Sequence, residues 1–240
     1  MPTVTFATHC HAPHLERLHS PGVLLDILKS HAYPVNEIFV THQNCRGIEY
    51  RPFDVPGVRI LETEDYYPQI FAEFGIKWPD SVMDELTHGK GAAHFWEAHC
   101  QNHLIELKEA TSAYIVFSDC DCKMIHQPEG QSWIEVGLHA LKTRPDIFCV
   151  SPSDGGGERL TQTMSQQLFL VDAARMRRGP LGLSWNGKFD APGGPMAEFY
   201  GMLEGRITRL MIAKNLYRYV LPERFRYWHH GNWRATGWER

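Results

Sequence analysis

Two carboxylates separated by one residue are the most informative feature of this 240-residue chain. Asp119 and Asp121 follow the apolar run Tyr114–Phe117, which predicts a buried strand covered on both faces. Like charges this close together are unfavourable unless a cation compensates them. Mg²⁺ and Mn²⁺ take oxygen ligands, typically one or two protein carboxylates together with substrate phosphates. The alternative is that both residues only stabilise a turn, but the position after a buried strand favours a metal site.

Strand and helix patterns alternate along the first half of the chain, and the second half is less regular. Strands are predicted at Thr3–Thr8, Glu37–Thr41, Val58–Leu61, Tyr114–Phe117, Ile147–Val150, Gln167–Val171 and Tyr217–Leu221. Helices are predicted at Val23–Leu28, Ala92–Lys108, Trp133–Leu141 and Leu203–Ala213. This order predicts an α/β fold with a mainly parallel sheet flanked by helices. Ligands bind beyond the carboxyl ends of strands in such sheets, so the polar residues after each strand are candidates for binding.

The amino-acid composition of the chain limits which partners and which cellular location we expect. The net charge of −4 offers no basic field for a nucleic acid. The six cysteines form no CxxC pair, which favours reduced thiols and a cytoplasmic location. No stretch reaches the ~18–20 apolar residues that cross a bilayer. The first residues lack the features of a usual signal peptide, so we expect no secretion and no transmembrane segment.

The sequence resembles the glycosyltransferases of the GT-A fold, particularly the broad family-two-like group. The matching residues are the opening strand at Thr3–Thr8, the segment Pro34–Thr41, and Asn102 ahead of the strand that ends in Asp119 and Asp121. The resemblance implies one GT-A-like domain over residues 1–240. Its nucleotide-sugar-binding half would cover about residues 1–125, and an elaborated acceptor-binding half about residues 126–240.

The same resemblance implies a chemistry. A sugar would pass from a nucleotide-diphosphate sugar, UDP rather than GDP, to a hydroxyl of an unidentified carbohydrate or other acceptor. The transfer would be inverting and would use Mn²⁺ or Mg²⁺. Asp121 would bind the metal, and Asp119 the metal or the donor ribose.

The resemblance also assigns the donor pocket to the ends of the first strands. The expected contacts are Thr8, His9, His42, Asn44 and Asn102, with Lys90 between two glycines facing the diphosphate. An ordinary solvated turn is the alternative for Lys90. Members of this group usually carry an acidic residue after the second strand, where this chain has His42-Gln43-Asn44. That departure leaves the identity of the nucleotide base open, although amide groups can still hydrogen-bond a uracil edge or a ribose hydroxyl.

GT-A enzymes often complete the metal shell with a distant histidine, and His229 and His230 resemble that element. Neighbouring residues on an extended segment point in opposite directions, so only one of them can face the metal, and we favour His229. A surface histidine pair is the alternative. An inverting transfer also needs a carboxylate base. The candidates are Glu204, Glu198 and Asp190, and an ion pair of Glu204 with Arg206 or Arg209 is the other interpretation.

Three rival functions remain open at this point. His9-Cys10-His11 matches the HxH of metal-dependent hydrolases on TIM-like barrels, which would require eight strand–helix units. A non-catalytic nucleotide-sugar-binding module would keep the fold without the reaction. A nucleotidyltransferase would be expected to carry a glycine-rich basic loop after the first strand, which this chain lacks.

Overall fold

A computed structural model of the protein describes residues 2–43, 45–66, 69–75, 102–165, 167–178 and 203–229. The strands are β1 (Val4–His11), β2 (Glu37–Gln43), β3 (Val58–Glu62), β4 (Tyr114–Asp119), β5 (Lys123–His126), β6 (Ile147–Ser151), β7 (Arg159–Thr161), β8 (Leu168–Asp172), β9 (Tyr217–Val220) and β10 (Arg226–Trp228). The α-helices are α1 (Ala12–Leu18), α2 (Val23–Ser30), α3 (Gln69–Glu73), α4 (102–109), α5 (Trp133–Thr143), α6 (Ala173–Arg178) and α7 (Leu203–Lys214). A 3₁₀ turn covers Thr63–Asp65.

Eight strands form one open sheet in the order β3-β2-β1-β4-β8-β6-β9-β7. The strands β3, β2, β1 and β4 are mutually parallel, and β6 and β9 are parallel to each other. Only β8 and β7 run antiparallel to their neighbours. The predicted α/β fold with a mainly parallel sheet is confirmed. The TIM-barrel alternative is wrong, because β7 and β8 run antiparallel within the sheet, whereas a TIM barrel is built from parallel strands.

The apolar core has two parts, one on each face of the sheet. Alternation along β1 sends Val4 and Phe6 to the face covered by α1, α2 and α5. Ala7 lies on the opposite face with residues of α3, α4, α6 and α7. Helices therefore cover both faces, as the alternating sequence pattern predicts. Among the described residues, no helix is both long and apolar enough to cross a membrane.

A capping box fixes the start of α5. The Oγ of Ser132 accepts a hydrogen bond from the Ile134 amide at 3.1 Å, and the Glu135 carboxylate accepts one from the Ser132 amide at 3.2 Å. The indole of the next residue, Trp133, donates to Nδ1 of His31 at 2.9 Å. These contacts tie α5 to the end of α2 and hold it against the sheet.

Glu37 joins the amino ends of three neighbouring strand segments. Its carboxylate accepts hydrogen bonds from the hydroxyl of Thr5 and from the amides of Thr111 and Ser112, at 3.0 and 3.1 Å for the amides. Burial disfavours the ionised form, but these hydrogen bonds outweigh it and lower the pKa of Glu37 to about 2. The ionised form of Glu37 therefore stabilises the amino ends of these strands, whereas the acidic pair lies at the carboxyl end of β4.

We expect acid to weaken the wild-type protein more than a Glu37→Gln variant. A carboxyl with a lowered folded-state pKa contributes its full stability above its ordinary pKa of 4.5 and loses it as the pH falls towards about 2. Urea denaturation between pH 5 and pH 2 measures the free energy of unfolding of both proteins. An identical decline in the two proteins would contradict the role assigned to the ionised carboxylate.

Candidate metal centre

The acidic pair lies on a tight turn at the carboxyl end of β4. The amide of Cys122 donates to the carbonyl of Asp119 at 3.1 Å and closes the turn. The amide of Asp119 donates to the carbonyl of Gln167 at 2.7 Å, which fixes the turn beside β8. This edge of the sheet is the one at which open α/β sheets bind their ligands.

His229 reaches this turn through a small two-stranded ribbon. Strand β10 pairs antiparallel with β5, and Trp228 lies opposite Lys123. Because β5 begins two residues after Asp121, the residue that follows β10 arrives beside the turn. The Nε2 atom of His229 lies 3.1 Å from Oδ2 of Asp119 and 3.4 Å from Oδ1 of Asp121. The structure thus brings together three of the four predicted metal ligands, and His230 lies outside the described residues.

These distances fit ligands of one divalent ion. Metal–oxygen and metal–nitrogen bonds of about 2.0–2.2 Å place adjacent ligand atoms about 2.9–3.5 Å apart in octahedral or tetrahedral geometry. The side chains of Asp119, Asp121 and His229 are 18, 8 and 16% exposed, so the site is open enough for a substrate oxygen to approach. The donor set of two carboxylates and one imidazole suits Mn²⁺ or Mg²⁺.

Cys122 also lies in this group, with its sulfur within 4.8 Å of the other ligand atoms. Its thiol donates to the carbonyl of Gln167 at 3.3 Å. Burial and the charges of Asp119 and Asp121 raise the pKa of the Cys122 thiol well above its ordinary value. Without a bound cation, Cys122 is therefore a neutral neighbour of the carboxylates.

The acidic pair favours the charged form of His229. Burial opposes the imidazolium form, but the hydrogen bond to Asp119 and the charge of Asp121 raise the pKa of His229. A metal ion competes with a proton for this imidazole nitrogen. Affinity for the metal should therefore weaken as the pH falls.

Two further charged residues lie near the acidic pair. Arg17 on α1 is close enough to Asp121 for their opposite charges to attract. Glu204 on α7 is half-buried. Burial, helped by the charge of Asp119 and opposed by Arg218, raises its pKa to about 7. Of the three candidate bases, Glu204 is therefore placed near the acidic pair. Asp190 and Glu198 lie outside the described residues.

The expected donor-binding residues of β1 and α4 are all deeply buried. The Nε2 atom of His9 lies 3.4 Å from Oδ1 of Asp119, on the opposite side of that carboxylate from His229. The amide of Asn102 donates to Oε1 of Gln43 at 3.4 Å. The hydroxyl of Thr8, which is 1% exposed, has no hydrogen-bond partner among the described residues. Their contacts with a nucleotide stay predictions.

His42 is held by its neighbours on both ring nitrogens. Its Nδ1 lies 3.2 Å from Oε1 of Glu62, and its Nε2 lies 3.1 Å from Nε2 of His19. His19 in turn contacts the carbonyl of Arg51 at 2.6 Å through Nδ1, which must be the donor because a carbonyl only accepts. A nucleotide contact by His42 would therefore have to use the face or carbon edge of the ring. The other two expected contacts, Asn44 and Lys90, lie outside the described residues.

Sequence reasoning did not identify Arg17, or the pair His103 and Glu106 described below. Arg17 lies in a short helix that the sequence pattern did not predict. The signal available for the second pair was its spacing, because a histidine and a carboxylate three residues apart on a helix share one face. Such i, i+3 pairs supply metal ligands in helical bundles.

Comparison with known proteins finds similarity in shape only. No protein-family model matches the sequence, and no curated protein matches it. One solved structure of similar shape is glucosyl-3-phosphoglycerate synthase from Mycobacterium tuberculosis with Mn²⁺, UDP and phosphoglyceric acid, at 14% identity and a TM-score of 0.36 over 72% of this chain and 56% of that chain. The same enzyme with UDP-glucose gives 16% identity and a TM-score of 0.39 over 90 and 80% of the two chains.

A third solved structure, described as a mycobacterial protein, is 12% identical with a TM-score of 0.43 over 92% of this chain and 66% of that chain. This chain spans little more than half the length of the first two synthase structures it matches. Similarity at this level carries no statement about activity, which must be argued from the site itself.

Proposed function

We propose that this protein is a metal-dependent glycosyltransferase that moves a sugar from a nucleotide-diphosphate sugar to a hydroxyl group, with inversion at the anomeric carbon. The observation that supports it is the meeting of Asp119, Asp121 and His229 at the carboxyl edge of a mainly parallel sheet, at separations suited to one divalent ion. Such a site suits a substrate that carries phosphates.

In this proposal, Asp119, Asp121 and His229 hold Mn²⁺ or Mg²⁺, and the ion when bound neutralises charge on the departing diphosphate. Arg17, beside Asp121, adds a second positive charge for the same phosphates. We propose UDP as the leaving group. The side-chain amides of Gln43 and Asn102, which hydrogen-bond each other at the end of β2 and the start of α4, carry donor and acceptor atoms that can pair with a uracil edge.

Glu204 is the proposed base that removes the proton from the acceptor hydroxyl. A base works best when its pKa lies near the operating pH, and burial raises the pKa of Glu204 to about 7. Glu204 comes from the second half of the chain, whereas Asp119 and Asp121 come from the first. We propose the same division for the chain, with a donor half at about residues 1–125 and an acceptor half at about residues 126–240.

Titration calorimetry with UDP and GDP, each with and without Mn²⁺, tests the donor site. We expect UDP to bind only in the presence of Mn²⁺, because the acidic pair repels a diphosphate until a cation is bound. Binding of both nucleotides without metal, or of neither with metal, would overturn the proposal. Tighter binding of GDP than of UDP would support the proposed metal site but identify guanine, not uracil, as the nucleotide base.

Turnover separates an enzyme from a non-catalytic binding module. Release of free nucleotide is followed from a panel of nucleotide sugars with Mn²⁺ and a mixture of carbohydrate acceptors. A transferase releases nucleotide faster when an acceptor is present than when water alone is available. Metal-dependent binding without any release over the whole panel would support the module instead.

A further inference from the structure

A second group of ligand-type side chains lies on the inner side of Asp119. It consists of His9, His103 and Glu106, each of which offers one ligand atom within 4.8 Å of the other two. The three residues are 3, 0 and 0% exposed. This group, which we call the inner cluster, is separate from the set formed by Asp119, Asp121 and His229.

Strand register and helix spacing bring the inner cluster together. His9 on β1 is the register partner of Thr41 on β2 and of Asp119 on β4, so the three residues form a row across parallel strands. Helix α4 covers this face of the sheet. His103 and Glu106 are three residues apart on α4 and therefore project towards the row together.

The contacts of Glu106 identify what is unusual about the inner cluster. Its Oε1 accepts a hydrogen bond from the hydroxyl of Thr41 at 2.9 Å. Its Oε2 is buried and has no hydrogen-bond partner in the part of the chain that the structure describes. A buried carboxylate is costly unless a cation or a proton compensates it. The imidazole rings of His9 and His103, each with a ligand atom within 4.8 Å of this carboxylate, are suitable ligands for such a cation.

We propose that His9, His103 and Glu106 bind a second divalent metal ion of the zinc class. Two imidazoles and one carboxylate suit Zn²⁺, because nitrogen ligands here outnumber the oxygen ligands that Mg²⁺ and Ca²⁺ favour. Burial on all sides indicates a structural ion that joins α4 to β1, not one that activates water.

Asp119 completes the charge balance of this site. Its Oδ1 lies 3.4 Å from Nε2 of His9, so this carboxylate is next to the inner cluster without belonging to it. The two positive charges of the ion are balanced by Glu106 and Asp119. One carboxylate would then lie between the inner ion and the outer metal centre, with one oxygen turned to each histidine.

A proton on Glu106 is the competing explanation, since burial and the charge of Asp119 raise the pKa of this carboxyl while the Thr41 hydroxyl opposes the change. The two explanations differ in metal content. The test uses a full-length background variant, Asp121→Asn with His229→Gln, that removes the outer centre, and it uses no nucleotide. Its outcome therefore does not depend on whether the proposed transferase activity exists.

The metal-stripped background variant is desalted after titration with Zn²⁺, and bound zinc is counted by mass spectrometry. We expect one equivalent per chain and a Tm that rises with zinc concentration. Adding Glu106→Gln should reduce bound zinc at least tenfold, because the amide keeps the Thr41 hydrogen bond and loses the charge. Glu109→Gln is the matched control on the same helix, since Glu109 pairs with Arg59 at the surface and should change nothing.

Two results would overturn the inner site. One is a background variant that takes up no zinc, which leaves a proton as the explanation. The other is a Glu106→Gln form that keeps its full equivalent. If Glu106→Gln does not fold, His103→Gln replaces it. Cobalt substitution then adds a spectroscopic readout, because a nitrogen and oxygen site gives visible bands without the near-ultraviolet charge transfer of a thiolate.

Discussion

Replacing Asp121 with Asn should abolish the metal-dependent binding of UDP and reduce sugar transfer on the order of 10²–10³-fold. The loss follows because the ion that compensates the diphosphate would lose an anionic ligand, and preorganised charge of this kind is worth factors of that size. Calorimetry with UDP and Mn²⁺ and nucleotide release measure the two effects.

Asp146→Asn is a matched control for this prediction. Asp146 pairs with Arg144 at the amino end of β6, at the opposite edge of the sheet from the acidic turn. The control should bind UDP and turn over donor as the wild type does. If Asp121→Asn binds UDP with Mn²⁺ at wild-type affinity, the outer centre is not the donor site.

Replacing Glu204 with Gln should slow transfer by about 10²–10⁴-fold without weakening the binding of UDP and Mn²⁺. The wild-type rate should rise with pH as Glu204 loses its proton near its pKa of about 7, and this limb of the profile should be absent from the residual activity of the variant. Glu129→Gln, in an exposed turn before α5, is the matched control. Full activity of Glu204→Gln would leave Asp190 or Glu198 as the base.

Stability provides a second readout for Glu204. Its folded-state pKa is raised from 4.5 to about 7, so its contribution is complete below pH 4.5 and is lost as the pH rises through about 7. The free energy of unfolding of the wild type should therefore fall between pH 5 and pH 8 by more than that of Glu204→Gln. An unchanged slope in the variant would show that the carboxyl does not titrate near neutrality.

Local sequence pattern predicted most of the elements of the sheet within two residues. The predicted strand Tyr114–Phe117 is observed as Tyr114–Asp119, and the predicted helix Trp133–Leu141 as Trp133–Thr143. In both elements the apolar pattern is continuous or periodic, and it lies entirely within one segment of the chain. Strands β5 and β7 were not predicted, because they are short and partly exposed and owe their conformation to partners distant in the chain.

The sequence by itself determined that a pair of carboxylates follows a buried strand in an α/β chain, since both facts depend on neighbouring residues. The tertiary structure decided which distant residues meet that pair. His229 lies 110 residues from Asp119 and reaches it only through the pairing of β10 with β5. Glu106 looks like any polar position on an amphipathic helix until α4 is packed on the row formed by Thr41, His9 and Asp119. Burial and strand register are properties of the assembled sheet, and they set the charges and distances on which the chemistry depends.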